Sequence, residues 1–175
     1  MLIELDVYGD ERGRFAESFQ IKRYAEFGLP TEFRQDSFSL SAGNVLRGLH
    51  YQIEKPQGHL VTVLSGQIHD VGLDLRTGSP AFGRAIEYRL DAAGPHQIYL
   101  PPGVAHGFCV LSESALIHYK CTDLYAPGDE GGVLWSDPDL GIAWPARSPV
   151  ITPRDRAFPR LRDVTAARLP KVSVG

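Results

Sequence analysis

Glycine and proline interrupt this chain so often that a bundle of long helices has no room to form. The 18 glycines and 13 prolines make 31 of its 175 residues, about 18% against an ordinary background of about 12%. They are dispersed rather than clustered, so they punctuate many short elements instead of forming a linker. A chain of this length fits one domain and buries enough surface to need no staples. The expectation is a single all-β domain rich in turns.

Short extended segments recur between those punctuation points. Gly58–Leu64 alternates, Ser65-Gly66 interrupts it, and Gln67–Leu75 resumes, which reads as a hairpin. Ala85–Leu90, Gln97–Leu100, Gly107–Leu111 and Ala115–Thr122 are further strand candidates. Strands at this spacing point to a sandwich or barrel, with a jelly roll the natural choice at this length. One early helix is expected over Phe19–Phe27, with Ser18 as its cap, Ile21, Tyr24 and Ala25 on one face and Gly28 as its stop. From Pro145 onward Pro and Arg rise and periodicity fades, which predicts a wrapping segment. The expected domain spans residues 1–164, with a loose tail over 165–175.

The formal net charge of -3 gives no global attraction to nucleic-acid polymers or anionic membranes. An anionic small molecule would need a local cluster of Arg. Cys109 and Cys121 lie in apolar stretches and read as buried thiols of a reduced cytoplasmic protein rather than a disulfide framework or zinc knuckle. MLIELDVYGDERG carries early acids and no apolar core, unlike a secretory leader. No apolar run approaches the roughly 18 residues of a membrane span.

Three clusters could carry chemistry. In NVLRGLHYQ, Asn44–Gln52, Arg47 and His50 lie three apart and would face opposite ways in a regular strand. They can share a pocket only if the strand is bulged or ends there, and Gly48 permits either. Taken alone, His50 reads as a structural histidine sooner than a catalytic one. In LPPGVAHGF, Leu100–Phe108, a Pro-Pro-Gly turn precedes His106. That arrangement resembles the second motif of cupins, small jelly-roll proteins in which the histidine often ligates a metal. The accompanying His-x-His is absent, because Tyr51-Gln52 follow His50, so a metal-free pocket is expected. In ALIHYKCTDLY, Ala115–Tyr125, alternation puts Tyr119 with Ala115, Ile117 and Cys121. Its phenol is either a core hydroxyl with a backbone partner or an acid aimed inward.

These clusters, with GDERGRFAESF (Gly9–Phe19), RQDSFS (Arg34–Ser39), PQGHLVTVLSGQIHDVGLDLR (Pro56–Arg76), GSPAFG (Gly78–Gly83), HYKCTDLYAPGDEGG (His118–Gly132), DPDLGIAWP (Asp137–Pro145) and PRDRAFP (Pro153–Pro159), follow one another in a set order. In that ordered set the chain resembles the dTDP-4-dehydrorhamnose 3,5-epimerase family of nucleotide-sugar enzymes. The resemblance implies a cupin-type jelly roll (a double-stranded β-helix) with a few short peripheral helices. It also implies a homodimer without metal or cofactor, acting on a nucleoside-diphosphate 4-keto-6-deoxy sugar. A 4-ketone acidifies the protons on C3 and C5, and epimerisation there needs a base, an opposed acid and an oxyanion donor.

By resemblance His50 is the base, Asp155 the carboxylate that orients it, and Tyr119 the acid. Arg12, Glu17, Gln35, Asp36, Ser37, Arg47, His106, Glu130 and Arg154 fall on positions that hold substrate in the family. Three of these are Arg, suited to a diphosphate. His59 stands where family members usually carry Lys. A histidine is cationic at neutral pH only if its surroundings favour that form, so inversion at C3, at C5 or at both stays open. Two alternatives remain: a 3,4-ketoisomerase of the same substrates, and a silent sugar-binding cupin. The missing second histidine near His50 speaks against the first. The retained acid and base speak against the second.

Overall fold

The structure, a computed structural model, describes residues 1–172. Its strands in chain order are β1 (Leu2–Glu4), β2 (Val7–Asp10), β3 (Gly13–Ala16), β4 (Gln35–Ala42), β5 (Leu46–Gln52), β6 (His59–Ser65), β7 (Gln67–Asp74), β8 (Ala85–Asp91), β9 (His96–Leu100), β10 (Val104–Val110), β11 (Ser114–Cys121) and β12 (Glu130–Gly132). Ten of them form two five-stranded antiparallel sheets, ordered β1-β9-β6-β11-β4 and β12-β5-β10-β7-β8. β2 and β3 stand apart as an exposed hairpin. This is the expected jelly roll.

Alternation builds the core between the sheets. Val61, Val63, Ala115 and Ile117 of the first sheet meet Ile68, Leu90, Val104, Phe108 and Val110 of the second. The outer face of the second sheet is also covered: Leu49, Val71, Leu73 and Ala105 pack under Leu140, Ile142, Trp144 and Leu161. β10 is therefore buried along its whole length, as a strand covered on both faces must be. Each fully buried aliphatic side chain contributes roughly 1.5–3 kcal/mol.

β6 and β7 do not form the expected hairpin. β6 pairs with β9 and β11, β7 with β8 and β10, so Ser65-Gly66 is a corner where the chain passes from one sheet to the other. Gly66 has φ +80, and a Cβ there would collide with the Ser114 carbonyl oxygen. Alternation marks both segments as strands, but their partners are set by which core faces meet.

The helix is shorter than expected. α1 spans Ile21–Glu26, capped by the Gln20 side chain, which accepts from the Arg23 N–H at 2.7 Å. Ser18 instead offers its carbonyl to the Tyr24 hydroxyl and the Gln97 amide. Tyr24 alone of the expected face is buried, and Ile21 is exposed, because six residues cover one contact on the sheet. The segment after Pro145 wraps as anticipated. A second short helix, α2 (Pro153–Arg156), lies within it. Residues 165–172, expected as the start of a loose tail, lie against the sheet. Leu169 packs over its outer face, Lys171 N–H donates to the Ile53 carbonyl at 2.8 Å, and the Tyr51 hydroxyl donates to the Arg168 carbonyl at 2.9 Å. The rest of that tail, 173–175, lies outside the described residues. Among the described residues no helix is long and apolar enough to cross a membrane.

Candidate active site

β5 carries one residue more than β10 between two points of contact. His50 is opposite His106 and Arg47 is opposite Phe108, so three steps along β5 match two along β10. The extra residue is a β-bulge, and it turns Arg47 and His50 to one side. Gly48 makes it possible: its φ is +119, and a Cβ would lie 2.5 Å from the Gly107 Cα and 2.7 Å from the His106 carbonyl oxygen.

Arg47, His50 and His106 from the second sheet line a cavity of about 210 Å³ opposite Ser37, His59, Tyr119 and Cys121 from the first. The sequence-expected base and acid thus enter from opposing sheets. His50 Nε2 lies 3.0 Å from Asp155 Oδ1, off the line of a straight hydrogen bond. Asp155 is held from α2: its N–H donates to the Thr152 hydroxyl at 3.1 Å, and its Oδ2 accepts from the Gly48 N–H at 3.3 Å. Burial pushes the Asp155 carboxyl up, but His50, Thr152 and the Gly48 N–H outweigh it and hold the pKa at about 2. The group is a carboxylate at any working pH.

Tyr119 faces the cavity with Ile117 and Cys121 behind it on the strand, as alternation predicts. Its hydroxyl pairs with Ser39 Oγ at 3.0 Å. Burial pushes the phenol well up, against the small opposing effect of Ser39, so it stays a proton donor. Next to it stands His106, ring centroids 6.0 Å apart. His106 Nε2 meets Asp70 Oδ2 at 2.7 Å, and Asp70 is fully buried. His59 completes the wall, its ring centroid 5.9 Å from that of His106. Burial first, and the charge of His106 second, lower the His59 pKa to about 3.

Other expected residues form the rim or lie elsewhere. Glu130 lines the cavity and pairs with Arg154 at 2.5 Å, and Arg154 also reaches Asp155 at 3.4 Å. Gln35 supports Ser37 and accepts from the Tyr125 N–H. Asp36 alternates to the other face of β4, where Lys120 holds it at 2.9 Å. Arg12 pairs with Asp10 on the exposed hairpin, and Glu17 pairs with Arg23 at 3.3 Å. None of these last three lines the cavity. Asp70, Ser39, Gln57 and Tyr125 escaped the sequence reading. Asp70 left a signal, since it shares the inward face of β7 with Ile68 and an acid there must find a partner. Among the described residues no group of three or more His, Cys, Asp or Glu is placed to hold a metal ion.

A jelly roll with a carboxylate-backed imidazole and a neutral phenol facing one cavity defines a cupin-type protein built for moving protons. The model of the dTDP-4-dehydrorhamnose 3,5-epimerase family matches residues 1–163. A dTDP-4-dehydrorhamnose 3,5-epimerase of Pseudomonas aeruginosa is 48% identical over 158 residues, covering 89% of this chain and 87% of that protein. A solved dTDP-6-deoxy-D-glucose-3,5-epimerase of Legionella pneumophila, in complex with dTDP-4-keto-L-rhamnose, is 46% identical with a TM-score of 0.94 and covers 98% and 93% of the two chains. A 3'-monoepimerase of Streptomyces bikiniensis, solved with dTDP-quinovose, is 35% identical with a TM-score of 0.86, covering 92% and 83%. The chain belongs to the dTDP-4-dehydrorhamnose 3,5-epimerase family.

Proposed function

We propose that this protein epimerises a nucleoside-diphosphate 4-keto-6-deoxy sugar of the dTDP-4-dehydro-6-deoxyglucose type, inverting C3, C5 or both through an enolate. The observation that carries the reading is the opposition of His50 and Tyr119 across one cavity. The unprotonated His50 ring takes the proton beside the ketone, and the Asp155 carboxylate stabilises the imidazolium that forms. Electrons move onto the ketone oxygen. Among the described residues lining the cavity, Arg47 carries the permanent positive charge that supports this oxyanion. Tyr119 returns a proton from the other face, and a buried neutral phenol holds that proton until the carbanion claims it. The cavity of about 210 Å³ is below the roughly 300–1,000 Å³ that whole drug-sized ligands fill. It suits the sugar ring, with the diphosphate along the Arg154 rim.

Arg12 fits this reading if a second copy completes the site. The β2–β3 hairpin exposes Tyr8 and Phe15, and β4 exposes Phe38 and Leu40 on its outer face. These surfaces support a homodimer in which the hairpin carries Arg12 to its partner's substrate. The buried free thiols Cys109 and Cys121 support a cytoplasmic location. Sedimentation of the purified chain as a monomer would reject the dimer, and Arg12→Ala should raise KM about tenfold.

Proton NMR in deuterated water with dTDP-4-keto-6-deoxyglucose tests the activity. Deuterium should enter C3, C5 or both, His50→Ala should abolish exchange, and Tyr119→Phe should slow turnover at least about a hundredfold. Exchange at C3 alone identifies a single-centre enzyme like the Streptomyces relative. Absence of exchange with any 4-keto-6-deoxy nucleotide sugar rejects the proposal.

A further inference from the structure

Gln57 and His59 flank Gly58 at the entrance to β6, and both side chains line the cavity. The Gln57 amide is fixed by its surroundings: its Nε2 donates to the Asp123 carbonyl at 2.6 Å. The amide oxygen therefore faces the other way, 3.4 Å from His59 Nε2. An amide oxygen can only accept, so His59 Nε2 must be the nitrogen that carries hydrogen. The ring is neutral, because burial and the adjacent His106 hold its pKa at about 3. A neutral imidazole has one N–H. His59 Nδ1 is then left with a bare lone pair, and this atom is buried without a hydrogen-bond partner among the described residues.

We infer that His59, its tautomer set by Gln57, is a specificity-determining residue whose Nδ1 accepts a hydrogen bond from a hydroxyl group of the sugar. The inference rests on the proposed keto-sugar reading and deepens it. A lone pair rejects the ketone and the enolate oxygen, which are acceptors themselves. It attracts the neighbouring O–H. His59 thus steers the ketone away from itself and toward the Arg47 side of the cavity, whereas a lysine at this position would draw the oxyanion in. A buried acceptor with no partner is costly, so a sugar lacking the matching hydroxyl leaves that cost in place. The hydroxyl does not change charge during enolisation. Its hydrogen bond therefore acts equally on bound substrate and transition state, and its loss appears in KM rather than kcat.

Nitrogen NMR of the full chain with labelled histidine tests the tautomer first, without any ligand. His59 should show an Nε2–H and an unprotonated Nδ1 near pH 7; a proton on Nδ1, or a cationic ring, overturns the inference. Gln57→Leu should remove the lock and draw the two ring resonances toward each other, and an unchanged spectrum refutes the positioning role of Gln57. With dTDP-4-keto-6-deoxyglucose added, the Nδ1 resonance should shift as it accepts a hydrogen bond. A sugar that moves the His50 resonances but leaves His59 Nδ1 unmoved overturns the acceptor role. If no such sugar binds at all, the proposed function fails, while the tautomer of the free protein still decides whether His59 presents an acceptor. In turnover, His59→Asn keeps an acceptor near the Nδ1 position and should hold KM within about threefold. His59→Leu should raise KM about tenfold, the size of one neutral hydrogen bond, with kcat within about threefold. A fall in kcat at constant KM would make His59 an oxyanion donor instead and sink the inference.

Discussion

Replacing Asp155 with Asn changes one atom and reverses the logic of the base. The carboxylate can only accept, so it demands hydrogen on the His50 nitrogen that faces it, 3.0 Å away. On the proposed mechanism the second ring nitrogen is then free to take a proton from substrate. In Asp155→Asn the amide oxygen is claimed by the Gly48 N–H, now 3.3 Å from Oδ2. The amide NH₂ is thereby turned toward His50, which must answer with a lone pair. The ring proton moves to the cavity side, and the base is blocked. Loss of a general base costs about 10²–10⁴ in rate. Stability falls as well. Asp155 sits at about 2 against an ordinary value of 3.8, which corresponds to about 2 kcal/mol of folding free energy. Because the folded-state value is depressed, that contribution is fully present above pH 3.8 and disappears as pH falls through about 2. Urea unfolding at pH 7 should therefore show a midpoint lower by roughly 1 M, and the difference should shrink at pH 3. Deuterium wash-in within about tenfold of the parent rate would refute the tautomer argument. An equal stability loss at pH 7 and at pH 2 would refute the linkage.

Two further substitutions probe the frame of the site. Gly48→Ala sets a methyl group against the Gly107 backbone at a positive φ; chemical denaturation should show a loss of about 3 kcal/mol or more, with wash-in activity lost alongside because Arg47 and His50 no longer share a side. Asp70→Ala leaves buried His106 without its carboxylate and should cost about 3–5 kcal/mol by the same measurement, whereas Asp70→Asn, which keeps an acceptor, should cost markedly less.

The strands and the inward face of Tyr119 were legible because alternation is a local property, whereas the assignment of His50 and Tyr119 as base and acid came from the family resemblance alone. Tyr119 faces inward for the same reason that Ala115 and Ile117 do, and Gly48 permitted either a bulge or a strand end, of which the structure has the bulge that aligns Arg47 with His50. Pairing is not local. Nothing in Ser65-Gly66 distinguishes a hairpin turn from a corner between sheets, since both need a tight bend; the pairing of β6 with β9 and β11 and of β7 with β8 and β10, strands that come later in the chain, decides it. The same limit hid the His106–Asp70 pair, whose members lie on neighbouring strands 36 residues apart in sequence. Asp36 shows how a motif and local geometry can point in different directions. The motif suggested a ligand contact, but alternation along β4 turns Ser37 inward and Asp36 out to Lys120.

Asp155 reaches Gly48 across 107 residues of chain, and that distance gives the site a place in time. A growing chain has made the strands of both sheets, the three cavity histidines and the phenol before the segment bearing Asp155 follows. Until that last stretch wraps over the second sheet, His50 has no carboxylate to orient it, and closing so long a loop is among the slower steps available to a small β domain. On the proposed mechanism turnover is therefore a readout of finished assembly. A chain cut short before Thr152 would keep His50 but lose the carboxylate that faces it and the apolar cover that Leu161 and Leu169 give the second sheet, so on the proposed mechanism exchange of deuterium reports a docked C-terminal strap.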